Sequence, residues 1–108
     1  GVVFAGCGGS GITPFNTAFE MQEEEIERLL ARFKDLKDFI LVSHSPPEGV
    51  ADTAITSHIG SKAVRRFVEK TQPILCICGH AHECGGVEGT VGATRVVNTA
   101  KRVTVINL

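Results

Sequence analysis

The chain has 108 residues, of which 43% are hydrophobic and 21% charged, and its formal net charge is −1. This length suffices for one small domain with one core. The near-neutral charge provides no basic field for nucleic acid or an anionic membrane, so neither partner is indicated. The apolar runs are too short for a membrane helix and no segment resembles a signal peptide, so a cytoplasmic protein is expected.

The beginning of the chain is unusual. Residue 1 is Gly, the single Met is Met21, and a strand-like apolar segment follows the first residue at once. Because a natural reading frame begins with Met, we expect a chain that is trimmed, processed or part of a longer polypeptide.

The first half of the sequence alternates strand and helix patterns. Residues 2–5 predict a short buried strand that leads into a glycine-rich loop. In residues 22–37, apolar side chains recur at steps of three and four, with acids in the first turn and lysines in the last, which predicts an amphipathic helix. Residues 39–43 predict a buried strand, which His44 and two prolines end.

The second half begins with an excursion and ends in short strands. Residues 48–59 lack periodicity and predict a loop, after which Ser61 is the predicted N-cap of a second helix. That helix ends at Gln72 and Pro73, and its apolar face comprises Ala63, Val64, Phe67 and Val68. Residues 74–78 predict a third strand. Three further segments are candidate antiparallel strands: residues 85–91, 95–98 and 103–107.

The order strand, helix, strand, helix, strand predicts a parallel sheet with right-handed crossovers. In such α/β sheets, ligands bind beyond the carboxyl ends of the strands. His44 and His80 directly follow the predicted ends of two successive strands, and His82 comes two residues later. Since neutral imidazole ligates divalent first-row metals readily, we expect a metal site at this edge of the sheet.

The glycine-rich segment Gly6-Cys7-Gly8-Gly9-Ser10-Gly11 has the spacing of a dinucleotide fingerprint. That fingerprint requires a helix to begin directly after it, whereas Thr13 and Pro14 intervene, and no acid at the end of the next strand would hold a ribose. A glycine-rich active-site loop without a cofactor is therefore favoured. Cys7 is a possible nucleophile, although the sequence indicates no base for it.

A second cluster of metal-capable side chains extends from Cys76 to Cys84. Structural zinc sites favour cysteines two to four residues apart in a knuckle, whereas strand residues two apart point the same way at spacings of about 6 to 7 Å. The cysteines are thus expected to be reduced and mostly buried. A structural zinc-binding protein remains an alternative.

The sequence resembles the calcineurin-like metallophosphoesterases over essentially the whole chain, in the order and spacing of that family's C-terminal half. The matching segments are Leu-Val-Ser-His44-Ser-Pro-Pro, His58-Ile-Gly-Ser-Lys-Ala-Val-Arg-Arg-Phe, Gln-Pro-Ile-Leu-Cys-Ile-Cys-Gly79-His80-Ala-His82-Glu and Val-Val-Asn98. The resemblance implies part of a layered α/β/β/α sandwich, with parallel strand-helix-strand units followed by short antiparallel strands.

The resemblance also implies a dinuclear site with two divalent ions, which are Mn, Fe, Zn or Ni in such enzymes. His44 and His80 match ligands of one ion, His82 matches a ligand of the other, and His58 is a candidate contact for the substrate phosphate. Two ions about 3.5 to 4 Å apart activate a bridging water for attack at phosphorus. The resemblance assigns metal ligands and a substrate contact to this chain, but no catalytic residue.

Several motifs of the family are absent from this sequence. The Asp-x-His, Gly-Asp-x-x-Asp and Gly-Asn-His motifs of its N-terminal half do not occur, and Asn98-Thr99-Ala100 stands where the family commonly has Asn-Pro-Gly, so a different turn is expected there. Residues 1–108 are thus predicted to be the C-terminal part of a phosphoesterase domain that is inactive alone. The N-terminal half would come from the same polypeptide or a partner.

Two further expectations follow from this interpretation. A half-domain leaves an apolar face and a sheet edge uncovered, so we expect the isolated chain to self-associate into a homo-oligomer or to aggregate. The alternative from another functional class is a non-catalytic scaffold or binding module with the phosphoesterase fold.

Overall fold

The computed structural model describes residues 2–7, 22–54, 57–58, 60–79, 86–100 and 106. Its elements, in chain order, are β1 (Val3–Cys7), α1 (Glu23–Leu30), β2 (Phe39–Ser43), β3 (Thr53–Ala54), β4 (Ser57–His58), α2 (Lys62–Thr71), β5 (Leu75–Cys78), β6 (Glu88–Val91) and β7 (Thr94–Asn98). Neither helix in this part of the chain has the length and apolar character needed to cross a bilayer.

The main sheet has five strands in the order β1-β2-β5-β7-β6. Strands β1, β2, β5 and β7 are all parallel, and β6 is antiparallel to β7. The predicted mixed α/β sheet is confirmed. The prediction that the strand at residues 95–98 is antiparallel holds only for its pairing with β6, because the β6–β7 hairpin brings the chain back parallel to β5.

The helices cover one face of this sheet. The apolar stripes of α1 and α2 bury Ile26, Leu30, Val64 and Val68 against strand residues of the same core. Phe39 on β2 and Phe67 on α2 meet edge to face with their ring centroids 6.1 Å apart, an arrangement that aromatic pairs prefer. The three- and four-residue spacing in the sequence therefore identified the buried faces of both helices correctly.

The opposite face of the sheet carries a smaller apolar cluster. Ile40, Leu75 and Val97 are buried there, with Ile77 and Ile106 packed against them. Toward the β1 side of the same face, apolar side chains remain in contact with solvent, since Phe4 is 58% exposed and Val42 is 42% exposed.

The first helix begins where the sequence predicts but ends earlier. The α-helix ends at Leu30 rather than near residue 37, and a 3-10 turn, Ala31–Phe33, continues it. Asp38 then takes a left-handed backbone conformation, with φ of 52°. Asp tolerates this conformation better than most residues, so it can turn the chain into β2 there.

The second helix begins where the sequence predicts. The Ser61 hydroxyl accepts a hydrogen bond from the Val64 amide at 3.1 Å and so caps the helix. The helix ends at Gln72, which is left-handed with φ of 46°. The Gln72 amide group donates to the Val68 carbonyl at 2.8 Å and accepts from the Ala93 amide at 2.6 Å, which ties the helix end to the β6–β7 turn.

The remaining strand predictions have mixed outcomes. The first and third strands lie close to their predicted positions, with β1 extending to Cys7 and β5 beginning at Leu75. The prediction that the first strand is buried is wrong for Val3 and Phe4, which are 48% and 58% exposed, because within the described residues β1 pairs with β2 alone.

The excursion at residues 48–59 contains the short antiparallel pair of β3 and β4, which the sequence did not predict. Of the predicted strand at residues 103–107, only Ile106 is among the described residues. The glycine-rich loop after Cys7 lies outside them.

Candidate functional site

Four parallel strands end at one edge of the sheet. Their register places Cys7, Ser43, Cys78 and Asn98 side by side in a single row across β1, β2, β5 and β7. The segments that leave this row are therefore brought together by the sheet itself. This is the edge at which the sequence predicts a ligand site.

A cavity of about 430 Å³ opens at this edge. Its walls come from the ends of β2 and β5 and from the turn after β7, and they comprise Val42, Ser43, His44, Ile77, Cys78, Gly79 and Thr99. His44 is exposed. The lining therefore combines apolar side chains with the imidazole of His44 and the hydroxyl-bearing residues Ser43 and Thr99.

Hydrogen bonds fix the backbone around His44. The His44 carbonyl accepts from the Gly79 amide at 3.0 Å, which joins the end of β2 to the end of β5. The Ser43 hydroxyl donates to the Ser45 carbonyl at 2.9 Å and holds the turn that follows. This bond places Gly79, the residue before His80 in the chain, beside His44.

The four histidines of the sequence are described to different extents. His44 lies at the cavity, and His58 lies in β4, where its backbone pairs with Thr53 of β3. His80 and His82 are outside the described residues. The ligand roles predicted for His44, His80 and His82, and the substrate contact predicted for His58, accordingly stay predictions.

The side chain of Asn98 joins several segments at this edge of the sheet. The sequence indicated Asn98 only as part of the Val-Val-Asn98 segment. Its side chain is fully buried, and its Nδ2 donates to the Ala51 carbonyl at 2.9 Å and to the Gly79 carbonyl at 3.1 Å. Its Oδ1 accepts from the Ala100 amide at 2.9 Å. The Asn98 side chain thus connects the excursion loop, the end of β5 and the turn after β7.

The turn after β7 reflects the departure from Asn-Pro-Gly. The Thr99 amide donates to the Cys78 carbonyl at 2.8 Å and extends the ladder between β5 and β7 by one bond. A proline at this position has no amide hydrogen and could not form that bond.

Asp52 organises the excursion loop and was not singled out from the sequence. Its carboxylate is 1% exposed, and Oδ2 accepts from the Gly49 amide at 2.8 Å and from the Gly60 amide at 3.0 Å. These bonds close the loop at its two ends. The sequence around Asp52 shows no pattern from which this role could be predicted, because the segment lacks periodicity.

Cys76 and Cys78 on β5 are core residues. Cys76 and Cys78 are both buried in the helix-facing cluster. Burial raises the pKa of the Cys76 thiol to about 12. The burial of both thiols agrees with the expectation of buried, reduced cysteines.

The described residues provide part of a metal site. Within them, no three His, Cys, Asp or Glu side chains converge as a ligand set. The described residues that line the cavity contribute one imidazole, from His44, and no carboxylate. The His44 imidazole can serve as one ligand of a divalent ion. An ion bound here would require further ligands from residues beyond the described ranges.

Comparison with known proteins identifies relatives of this chain. The family model of the calcineurin-like phosphoesterases matches residues 2–84. The uncharacterized protein MJ1162 of Methanocaldococcus jannaschii is 41% identical over 106 residues, which cover 92% of this chain and 48% of that protein. The UPF0046 protein K07C11.7 of Caenorhabditis elegans is 36% identical over 62 residues, which cover 57% of this chain and 21% of that protein.

A solved crystal structure also shares the fold. It has a TM-score of 0.67 and 27% sequence identity with this chain, and the match covers 88% of this chain and 39% of the other. This chain thus spans about half of one curated relative and smaller parts of the other relative and of the solved structure.

Proposed function

Because the chain belongs to the calcineurin-like phosphoesterase family, we propose that it is the C-terminal half of a metal-dependent phosphoesterase domain. The complete domain would hydrolyse phosphomonoesters or phosphodiesters through a metal-activated water at a dinuclear site. The observation that carries this proposal is the junction of His44 and Gly79 at the carboxyl edge of a parallel sheet, inside the region that the family model matches.

In this proposal, His44 and His80 hold one divalent ion and His82 holds the second. Bound ions of this kind supply Lewis acidity and lower the pKa of a coordinated water. The contribution of this chain is to present imidazoles from fixed strand ends, since the backbone hydrogen bond between His44 and Gly79 sets the separation of the two segments. His58, on the excursion loop, would contact the substrate phosphate.

In this proposal, the bridging aspartate of the site comes from outside this chain. The aspartates of the sequence are Asp35, Asp38 and Asp52, and Asp52 is engaged by loop amides rather than directed at the cavity. Imidazoles alone provide too little negative charge to hold two divalent ions close together. The curated relative of about twice this length has room for the missing half. A cytoplasmic location of the whole protein is part of the same proposal.

The test is hydrolysis of a generic phosphodiester in the presence of Mn²⁺. We expect turnover by a polypeptide that joins this chain to the N-terminal half, and negligible turnover by the 108-residue chain. His44→Ala, His80→Ala and His82→Ala should each reduce kcat by at least about tenfold, because ligand loss weakens metal binding. His58→Ala is the matched histidine variant, and it should mainly raise KM.

Two results would contradict the proposal. Robust turnover by the 108-residue chain alone would show that the site is complete without further acids. A joined polypeptide that neither binds Mn²⁺ nor hydrolyses phosphoesters would favour the scaffold or binding module with the same fold.

A further inference from the structure

The side chain of Asn98 makes hydrogen bonds to three segments that meet at the candidate site. Two of its partners are carbonyls, on Ala51 of the excursion loop and on Gly79 at the end of β5. The third is the amide of Ala100 in the turn after β7. Because the side chain is fully buried, these bonds are shielded from competition by bulk water.

The bonds at Gly79 connect the backbones of two proposed metal ligands. The amide of Gly79 donates to the His44 carbonyl, and the carbonyl of Gly79 accepts from Asn98. That carbonyl belongs to the peptide group that leads into His80. Asn98 therefore fixes the orientation of the Gly79 carbonyl, the last described group before His80 in the chain.

The bond to Ala51 restrains the loop that connects His44 to α2. Ala51 has a φ of 53°, a left-handed conformation that is unfavourable for a residue with a Cβ. Its carbonyl is directed at Nδ2 of Asn98 at 2.9 Å. Asn98 thus stabilises a strained backbone position within the same loop that carries His58.

The chemistry of the three partners selects an amide side chain. Two carbonyls require two donors, and one amide requires an acceptor, which the Asn side chain provides in one planar group. Aspartate would direct negative charge at two carbonyl oxygens. An apolar residue would leave both carbonyls without this partner in a buried environment, where unsatisfied polar groups are destabilising.

We propose that Asn98 is a positioning residue of the phosphoesterase site, which orients the metal ligand His80 and the excursion loop without touching metal or substrate. The inference rests on the proposed function, because it assigns His80 as a ligand. The inference goes beyond the proposed function because it assigns a role to Asn98, which connects the end of β5 to the loop that follows His44.

The test compares two variants at Asn98 with a control on the same strand, all in the polypeptide that includes the N-terminal half. Asn98→Leu removes all three bonds at similar volume, and Asn98→Ser retains one hydroxyl for a single partner. An aspartate is avoided because its charge would itself attract cations. The control is Thr94→Val, which removes a buried 2.7 Å hydrogen bond to the Pro73 carbonyl at the other end of β7.

Mn²⁺ affinity, measured by calorimetric titration, is the main readout. We expect Asn98→Leu to weaken Mn²⁺ binding by about 10- to 100-fold, as for partners that orient metal ligands, and Asn98→Ser to fall between it and wild type. The Mn²⁺ affinity of Thr94→Val should lie within about twofold of the wild-type affinity, because the lost hydrogen bond is far from the proposed ligands. The visible spectrum of the Co²⁺-loaded Asn98→Ser protein should also differ from wild type.

The outcomes separate the two proposals. Wild-type protein that binds no Mn²⁺ would overturn the proposed function and this inference with it. Wild-type protein that binds Mn²⁺, with both the affinity and the Co²⁺ spectrum of Asn98→Ser unchanged, would overturn the inference alone. If Asn98→Leu fails to fold, the inference is tested by comparing the Mn²⁺ affinities of Asn98→Ser and Thr94→Val.

Discussion

At the scale of single residues, the excursion loop is held by contacts that exclude even a methyl group. A Cβ on Gly60 would come within 2.7 Å of the Asp52 carboxylate and the Pro47 carbonyl oxygen, and within 2.8 Å of the Glu48 Cα. Two of these neighbours are backbone atoms that cannot swing aside. Gly60→Ala should therefore lower the free energy of unfolding by about 1 to 3 kcal/mol, measured by urea denaturation of the polypeptide with its N-terminal half.

Gly6→Ala is the matched control for this prediction. Among the described residues, the atom nearest to a Cβ on Gly6 in β1 would be the Val42 carbonyl oxygen at 3.9 Å, which is an ordinary contact. Stability should be unchanged or slightly increased, because alanine suits a strand better than glycine. Equal losses for both variants would contradict the role of the packed loop at Gly60.

The same scale separates what the sequence could reveal from what it could not. The N-cap role of Ser61 was predictable because a cap depends on residues within one turn of the chain. The roles of Asp52 and Asn98 were not, because Asp52 bonds residues up to eight positions away and Asn98 reaches Ala51, which is 47 positions distant. Such roles are defined only once the sheet has brought the segments together.

At the scale of elements, one helix caps the other. The Glu23 carboxylate of α1 accepts hydrogen bonds from the Ser61 hydroxyl at 3.0 Å, from the Ala63 amide at 3.2 Å and from the Lys62 amide. A negative charge at this place also complements the positive end of the α2 dipole. We expect Glu23→Ala to reduce the free energy of unfolding by about 1 kcal/mol.

Glu24→Ala provides the comparison, since Glu24 is an exposed acid in the same first turn of α1. It should change the urea midpoint much less than Glu23→Ala does. Similar effects of the two variants would mean that Glu23 acts through general charge at the start of α1 rather than as a cap of α2. The sequence pattern located the acids in this turn, but periodicity within one helix cannot identify a partner on another helix.

At the scale of the whole molecule, the sheet is covered unevenly. Both helices lie on one face, and the opposite face buries Ile40, Leu75 and Val97 while leaving Phe4 and Val42 exposed. The interpretation of the chain as a half-domain predicted an uncovered apolar face. It could not predict what covers this face, because a covering segment would pack against it from outside these 108 residues, and MJ1162 is about twice as long as this chain.

The exposed face should make the isolated 108-residue chain self-associate. Phe4 and Val42 are apolar neighbours on adjacent strands, and within the described residues β1 pairs with β2 along one edge only. Exposed apolar surface beside a free strand edge promotes association. Light scattering should therefore show a mass that increases with concentration, and Phe4→Lys should reduce this increase. Ile74→Lys changes a side chain of similar exposure, 46%, at the start of β5 and should have little effect. A monomer at every concentration would show that this face needs no covering partner.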